Sequence, residues 1–404
     1  MSATLSAQCC VVGGGPAGLM AGFLLARAGV DVVVIEKHAD FLRDFRGDTI
    51  HPSTLRLMDE LGLLDEFLRL PHHKAYELAA WIGDRKYKVA DFRSLPGRCN
   101  FIAFMPQWDF LDFIAAEARK LPNFRLLMRT AADDLLWDGD RVKGVAAADR
   151  KGAIDISADL VIAADGRGSR MRAAARLEVE DFGAPMDVLW FKLPRIESDP
   201  DETFGRVGPG RMFIMIDRGS YWQCGCVIPK GGAEELRQKG MEAFRASIAA
   251  LTPFLADRVE TLADWAWINL LTVQVNRLKT WSRPGLLCIG DAAHAMSPVG
   301  GVGVNLAIQD AVAAANLLAA KLRAGTLADD DLASVQRRRE FPVRVTQRLQ
   351  LAIQNLVIRN VLAADKPIEA PLALRLFDAI PLLRRLPARL IGLGVQPEHV
   401  QTQV

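Results

Sequence analysis

Three glycines near the start of the chain follow an apolar run in the sequence VVGGGPAGL, at positions Gly13, Gly15 and Gly18. This GxGxxG spacing lies between a strand-like run and a helical pattern. There the backbone can turn tightly around a diphosphate, and the N–H groups of the helix N-terminus can meet its charge. Glu36 ends the next strand-like run, where a carboxylate accepts hydrogen bonds from ribose hydroxyls and opposes a 2′-phosphate. The pattern predicts FAD or NAD at this position, and not NADP.

Two later segments also place Gly and Asp directly after strand-like runs. VIAADGRGSRMR contains Asp165 and Gly166, and LLCIGDAAHAMSPVGGVGVN contains Gly290 and Asp291. An Asp at the end of a parallel strand can bind a chain of hydroxyl groups. The glycines before the following helix expose a second positive helix N-terminus, which suits the edge of an isoalloxazine ring that gains negative charge on reduction. The three segments together favour FAD.

On these motifs the chain resembles the class A flavoprotein monooxygenases, the group of para-hydroxybenzoate hydroxylase and the ubiquinone-biosynthesis hydroxylases, between about Cys9 and Asp310. The resemblance implies that the ribityl chain and ring are held by Gly290, Asp291, His294, Pro298, Gly301, Gly303 and Asn305. It implies that Asp165, Gly166, Ser169 and Arg172 serve FAD and NAD(P)H use. It further implies that Arg46 and Gln107 lie near the cofactor.

The resemblance also implies an activity. NADH or NADPH, docking without a nucleotide fold of its own, would reduce FAD. A flavin C4a-hydroperoxide would then hydroxylate an aromatic or polycyclic small molecule beside Pro298. No protein nucleophile or metal ligand is expected, since the cofactor carries the chemistry. Two alternatives stay open: an FAD-dependent oxidoreductase that inserts no oxygen, and a flavin-carrying accessory subunit of a biosynthetic complex. Trp265 to Ile268 also resembles the WxWxIP element of flavin halogenases, although Asn269 replaces its proline.

The elements that must position these residues follow from hydrophobic periodicity. The opening 36 residues predict a βαβ unit, and helices are predicted over 53–70 and 109–121, before a meander that returns to the sheet at 160–163. The sequence therefore predicts an α/β, FAD-binding Rossmann-like domain with an inserted substrate domain on a mostly antiparallel sheet and a helical C-terminal region. The predicted boundaries are 1–180 and 276–330, then 181–275, then 331–404.

The insertion supplies most of the candidate substrate residues. Its predicted strands cover 186–193, 211–216, 221–228 and 265–273, interrupted by one helix at 233–250. The candidates are Trp190, Phe213, Met215, Tyr221, Trp222 and Cys224, together with Asp48 and the catalytic candidate His51. Core packing, or a solvated loop for the polar ones, is the alternative interpretation of each residue. Their aromatic and sulfur content favours a planar, apolar substrate.

Composition limits the partners. The chain has 50 Lys plus Arg against 48 Asp plus Glu, so no overall field favours nucleic acid or an anionic membrane. Six cysteines without metal or redox spacing predict buried thiols in a reducing compartment, the cytoplasm. We expect no membrane-spanning segment, no metal at His72 and His73, and a solvated helix face at Arg337–Arg339. The mixed apolar and basic segment 381–394 favours a terminal helix docked on the protein over contact with a membrane surface. Oligomeric state is left open.

Overall fold

The computed structural model describes residues 3–42 and 49–402. The chain begins with a strand–helix–strand unit whose two strands pair in parallel, which is typical of an α/β domain. The strands are β1 (Ala3–Val12), β2 (Val32–Glu36), β3 (Thr49–Ile50), β4 (His73–Ala75), β5 (Glu77–Ile82), β6 (Arg85–Asp91), β7 (Ile102–Phe104), β8 (Phe124–Met128), β9 (Ala131–Asp138), β10 (Arg141–Asp149), β11 (Gly152–Ala163), β12 (Val179–Asp181), β13 (Met186–Pro194), β14 (Phe204–Gly208), β15 (Arg211–Asp217), β16 (Tyr221–Pro229), β17 (Asn269–Leu271), β18 (Asn276–Leu278), β19 (Ser282–Arg283), β20 (Leu286–Cys288) and β21 (His294–Ala295).

The helices concentrate at the C-terminal end, as the sequence predicts. They are α1 (Pro16–Arg27), α2 (Pro52–Glu60), α3 (Leu64–Phe67), α4 (Gln107–Arg119), α5 (Arg170–Ala174), α6 (Ala233–Lys239), α7 (Met241–Leu251), α8 (Gly303–Ala324), α9 (Asp329–Ile353), α10 (Arg359–Leu362), α11 (Leu372–Ala379) and α12 (Arg385–Gly392). From Val299 to Ala324 the chain is long and apolar enough to cross a membrane by length and composition, but most of this stretch is buried inside the protein, as in a core helix.

The first sheet confirms the predicted α/β fold. Strands β20, β11, β1, β2 and β8 lie side by side in parallel, and β9 and β10 extend it as an antiparallel hairpin against β11. The central strands are buried on both faces, which explains their uninterrupted apolar sequences. Helices α1, α4 and α8 pack against one another beside this sheet. The six cysteines are buried and unpaired, as predicted.

The second sheet is larger than the predicted insertion. It runs β17-β13-β16-β15-β14-β5-β6 and is antiparallel except where β14 pairs with β5. Strands β5 and β6 come from the segment 77–91, so the second sheet includes residues that the sequence assigned to the FAD-binding domain. Helices α6 and α7 cover one face of this sheet, and β7, the loop at Val299 and the C-terminal helices cover the other.

Several predicted helices end earlier than periodicity indicates. The helix predicted over 53–70 breaks at Gly62, and the one over 233–250 breaks at Gly240, each with a positive φ that a helix cannot continue through. The predicted strand over 265–273 is a turn followed by the short β17. A proline usually breaks a helix, but Pro342 lies buried inside α9. The packing of the surrounding helix outweighs one missing N–H.

Candidate active site

The three motifs meet at one edge of the first sheet. Each follows the carboxyl end of a parallel strand, after β1, β11 and β20, and Glu36 ends the neighbouring β2. In an open α/β sheet, ligands bind outside the carboxyl ends of the strands. The topology therefore brings together residues that lie more than 250 positions apart in the sequence.

The glycine turn combines tight packing with an open surface. A Cβ on Gly13, at φ +107°, would lie 2.5 Å from the carbonyl oxygen of Ala164, and one on Gly18 would lie 1.9 Å from the carbonyl oxygen of Gly13. A Cβ on Gly15 would meet nothing within 4 Å. No side chain caps the N-terminus of α1 at Gly15. Gly13 and Gly18 hold the turn against the sheet. Gly15 leaves room for a diphosphate above the N–H groups at the start of α1, which have no partner within the helix.

Glu36 is fixed beside this turn. Its Oε2 accepts a hydrogen bond of 2.9 Å from the backbone N–H of Gly14, and its Oε1 accepts one of 2.9 Å from His38. The side chain is largely buried at the end of β2. The carboxylate therefore stands where the ribose of an adenine dinucleotide is expected.

The DG segment has a bracing role. Asp165 accepts a hydrogen bond of 2.5 Å from the Ser169 hydroxyl and two more from backbone N–H groups at the start of α5. Its carboxylate is thus occupied as a helix cap. Gly166 makes the preceding turn with a φ of +86°. Arg172 donates to the carbonyl of Ala292 at 3.3 Å, which ties this segment to the GD segment.

The GD segment starts at a wedged glycine. A Cβ on Gly290, at φ +57°, would lie 3.0 Å from the Cβ of Ala17 and 3.1 Å from that of Ala307. The end of β20 is therefore held between α1 and α8. Asp291 follows with a partly exposed carboxylate, 3.2 Å from the guanidinium of Arg167. A partly exposed carboxylate at a strand end suits a ligand's hydroxyl groups.

The loop before α8 is tied to the segment that starts at Thr49. A Cβ on Gly301, at φ +64°, would lie 2.6 Å from the Thr49 hydroxyl, which donates to the Gly301 carbonyl at 3.0 Å. The Asn305 amide donates to the Thr49 carbonyl at 3.1 Å, and its oxygen accepts from the His51 N–H and the Thr54 hydroxyl. No side chain caps α8, whose first turn begins at Gly303. This helix start can face the electron-rich edge of a ring.

Residues 6–348 match the family model described as FAD binding domain. The 6-methylpretetramide 4-monooxygenase of Streptomyces rimosus is 33% identical over 385 residues, which are 93% of this chain and 91% of that protein. The chain belongs to the FAD-dependent aromatic monooxygenases.

Solved structures of similar fold agree with this assignment. PqsL, a probable FAD-dependent monooxygenase from Pseudomonas aeruginosa, aligns with a TM-score of 0.75 at 22% identity, covering 89% of this chain and 98% of its own. The p-nitrophenol 4-monooxygenase PnpA from Pseudomonas putida DLL-E4 aligns with a TM-score of 0.76 at 20% identity, covering 96% of each chain. At these identities the likeness is one of fold.

The residues of the groove fit FAD. The open surface at Gly15 and the uncapped start of α1 suit the diphosphate, Glu36 suits the ribose, and Asp291 suits the ribityl hydroxyls. Pro298 lies in the loop before α8, and Gln107 is the first residue of α4. Arg46 and Asp48, which the sequence also placed near the cofactor or substrate, lie outside the described residues.

Two predicted histidines have other partners. His51 is completely buried, and its Nδ1 donates to the carbonyl of Ile391 at 2.7 Å, so it joins the start of α2 to the end of α12. Burial lowers the pKa of His51 to about 4, against the smaller opposing effect of that hydrogen bond, so the imidazole is neutral at physiological pH. The Nε2 of His294 lies 2.5 Å from Asp310, and this ring is buried as well. Each ring thus has one nitrogen bound to a protein partner, and the predicted roles of His51 in catalysis and of His294 at the ribityl chain stay predictions.

The second sheet divides the substrate candidates by face. Phe213, Met215, Trp222 and Cys224 belong to the core beneath α6 and α7, on the face away from Val299, and their role in substrate binding stays a prediction. Trp190 lies on the opposite face, in the cluster that Val299 also contacts. Its ring lies over Gly225, where a Cβ would be 3.0 Å from the indole. Tyr221 precedes this position on β16 and stays partly exposed. Residues alternate in direction along a strand, which places Tyr221 on the face of Trp190.

Sequence reasoning missed the charged residues that brace the site. Arg167 binds Asp291, and Arg339 on α9 binds Asp310 on α8 with its Nε 3.0 Å from the carboxylate. Arg339 is buried, so the predicted solvated face at Arg337–Arg339 is wrong for this residue. Successive helix residues point about 100° apart, which is the available signal that all three could not share one face.

Proposed function

We propose that this enzyme hydroxylates an aromatic ring of a planar, polycyclic small molecule in the cytoplasm, with NADH or NADPH as the reductant. The observation that carries the proposal is the near full-length similarity to an enzyme whose name specifies 6-methylpretetramide, at 33% identity. The described residues of the flavin groove support it, and so does the apolar face of the second sheet that contacts the loop before α8.

In this proposal, different residues of the chain bind different parts of the cofactor. FAD, when bound, supplies electrons taken from NAD(P)H and activates dioxygen for transfer of one oxygen atom to the substrate. The Gly15 turn binds its diphosphate, and Asp291 accepts hydrogen bonds from its ribityl hydroxyls. The first turn of α8 presents unpaired N–H groups and a positive dipole to the ring, which favours the negatively charged reduced form.

The second sheet supplies the substrate wall in this proposal. Val188, Trp190 and Val227 share the face of the sheet that Val299 contacts, and Ile102 and Phe104 of β7 join the same cluster. These side chains exclude water and offer a flat indole for stacking on a planar ring. A single-ring phenol leaves much of such a wall uncovered, so we expect larger ring systems to bind more tightly.

A coupled assay tests this function. The FAD-loaded enzyme is mixed with NADH or NADPH and a panel that matches single-ring phenols with planar three- and four-ring phenols. We expect the polycyclic compounds to accelerate NAD(P)H oxidation and to gain one oxygen atom from ¹⁸O₂. Substrate-stimulated NAD(P)H consumption without label in the product would instead support the oxidoreductase that inserts no oxygen. Failure of either nicotinamide to reduce the flavin with any compound would support the accessory subunit.

The WAWI sequence lies away from the face of the second sheet that contacts the loop at Val299. The Trp265 ring packs at a tilted angle against Phe244 beneath α7, with ring centroids 5.3 Å apart, and Trp267 is 65% exposed. Neither tryptophan is part of the cluster on the opposite face of the sheet. Halogenation stays an alternative, and an assay for chlorination with chloride and a separate flavin reductase tests it.

A further inference from the structure

A buried charge network lies directly behind the GD segment. Asp310 on α8 is completely buried, and its carboxylate has three partners. Its Oδ2 accepts from the backbone N–H of Gly290 at 3.1 Å and lies 2.5 Å from the Nε2 of His294, while its Oδ1 accepts from the Nε of Arg339 at 3.0 Å. Because a carboxylate only accepts, the His294 Nε2 carries the proton of that contact.

The network continues into the C-terminal segment, defined here as residues 396–401. The buried Arg339 guanidinium also reaches the Glu398 carboxylate at 3.4 Å and the Gln396 carbonyl at 3.3 Å. Arg338 donates to the same carboxylate at 2.8 Å, and the backbone N–H of Glu398 donates to the side chain of Gln309. A segment without helix or strand is thereby joined to α8 and α9 by charge-assisted hydrogen bonds.

One member of this network touches the residue next to Asp291. Gly290 stands in a left-handed conformation between Ala17 and Ala307, and its N–H has Asp310 as its partner. Asp310 therefore determines how the chain enters Asp291, although it lies behind the strand end. The His294 and Arg339 charges hold the pKa of Asp310 below its usual range despite the opposing effect of burial, which keeps this acceptor ionised.

We infer that Asp310, held by Arg339 and Glu398, is a positioning residue for the ribityl half of FAD, so that the C-terminal segment contributes to cofactor affinity without touching the cofactor. The inference rests on the role of Asp291 in the proposed function. It concerns only that half of the ligand, because the adenosine and diphosphate are held by the turn at Gly15 and by Glu36.

This division makes a sharp test possible. Apoprotein is titrated with FAD, followed by flavin fluorescence, and separately with ADP, which carries the adenosine and diphosphate but has no ribityl chain. We expect Asp310→Asn to raise the Kd for FAD about tenfold, as loss of one charge-assisted hydrogen bond would, and to leave the Kd for ADP unchanged. Asp291→Asn should show the same pattern, and Glu398→Gln a weaker form of it, about threefold.

Two controls separate positioning from loss of stability. Asp187→Asn removes another buried carboxylate, which binds Lys230 and two backbone N–H groups in the second sheet, and should change neither Kd. Glu60→Gln loosens the C-terminal segment at His399 and Val400 without altering the charges at Asp310, and should also change neither.

Equal weakening of FAD and ADP in Asp310→Asn would overturn the inference and assign Asp310 a general structural role. An unchanged FAD affinity in Asp310→Asn, with Asp291→Asn weakened, would overturn it while leaving the proposed function intact. An unchanged FAD affinity in Asp291→Asn would remove its premise, the ribityl role of Asp291. Failure of the parent protein to bind FAD would contradict the family assignment itself.

Discussion

His51 makes the stability of this enzyme depend on pH in a way that the structure quantifies. Burial lowers the pKa of His51 from an ordinary value of 6.5 to about 4. Between these two pH values the imidazole is therefore protonated in the unfolded chain and neutral in the folded protein. The free energy of unfolding therefore falls as the pH drops, and the fall is complete near pH 4. Two and a half pKa units correspond to about 3 kcal/mol, of which about 2 kcal/mol is lost between pH 7.5 and pH 5.0.

The measurement compares urea unfolding of the FAD-saturated protein at pH 7.5 and pH 5.0. His51→Gln keeps an N–H donor for the Ile391 carbonyl and removes the titrating ring, so its loss of stability between the two pH values should be about 2 kcal/mol smaller than that of the parent. His73→Gln, at an exposed position, is the matched control and should behave like the parent. Equal pH dependence in the parent and His51→Gln would refute the reasoning. So would a ring ¹³C chemical shift showing that His51 titrates near pH 6.5.

Three further substitutions test the site and its support. Gly301→Ala places a Cβ 2.6 Å from the Thr49 hydroxyl at a φ of +64°, and should weaken FAD binding at least tenfold in a fluorescence titration, whereas unchanged affinity would mean that the loop has no part in binding. Trp190→Ala should raise the KM of a polycyclic substrate about threefold to tenfold through lost stacking, whereas the exposed Trp137→Ala should not, and equal effects would exclude Trp190 from the substrate wall. Asp199→Asn leaves Arg258 with only the exposed Asp257 carboxylate as a partner charge and should cost about 2–3 kcal/mol in chemical unfolding, so a loss below about 1 kcal/mol would show that the pair is dispensable.

The flavin-binding half of the fold was predictable because its determinants are local. A strand that is buried on both faces needs a continuous apolar run. A turn in which two backbone segments pack closely needs glycine. Both signals are present in residues 8–36, so the sequence predicts the βαβ unit directly. Strands β5, β6 and β14 were missed. Strand β14 contains two glycines, which weaken its strand pattern. Strand β5 pairs with it across more than 120 residues, so no local sequence pattern predicts the contact.

The orientation of the second sheet also lay beyond local reasoning. Alternation along β15 separates Phe213 and Met215 from Met212 and Ile214, but it does not say which set faces the loop at Val299. The answer depends on where α6 and α7 pack, and they cover the Phe213 side. The burial of Arg339 could not be predicted from its neighbours in the sequence either. The carboxylate that draws it inward belongs to Asp310, a full helix away in the chain.

Helix α8 is largely apolar, and its few polar side chains connect three segments that are distant in the sequence. Its start has no side-chain cap, Asn305 in the first turn holds Thr49 and Thr54, and Gln309 and Asp310 one turn later hold Glu398 and Gly290. These polar residues are buried among alanines and leucines, where an unpaired group would be costly, so each one specifies its partner. The apolar composition of this helix thus lets a few polar side chains hold three distant segments, at Thr49 to Thr54, at Gly290 and at Glu398, against one helix.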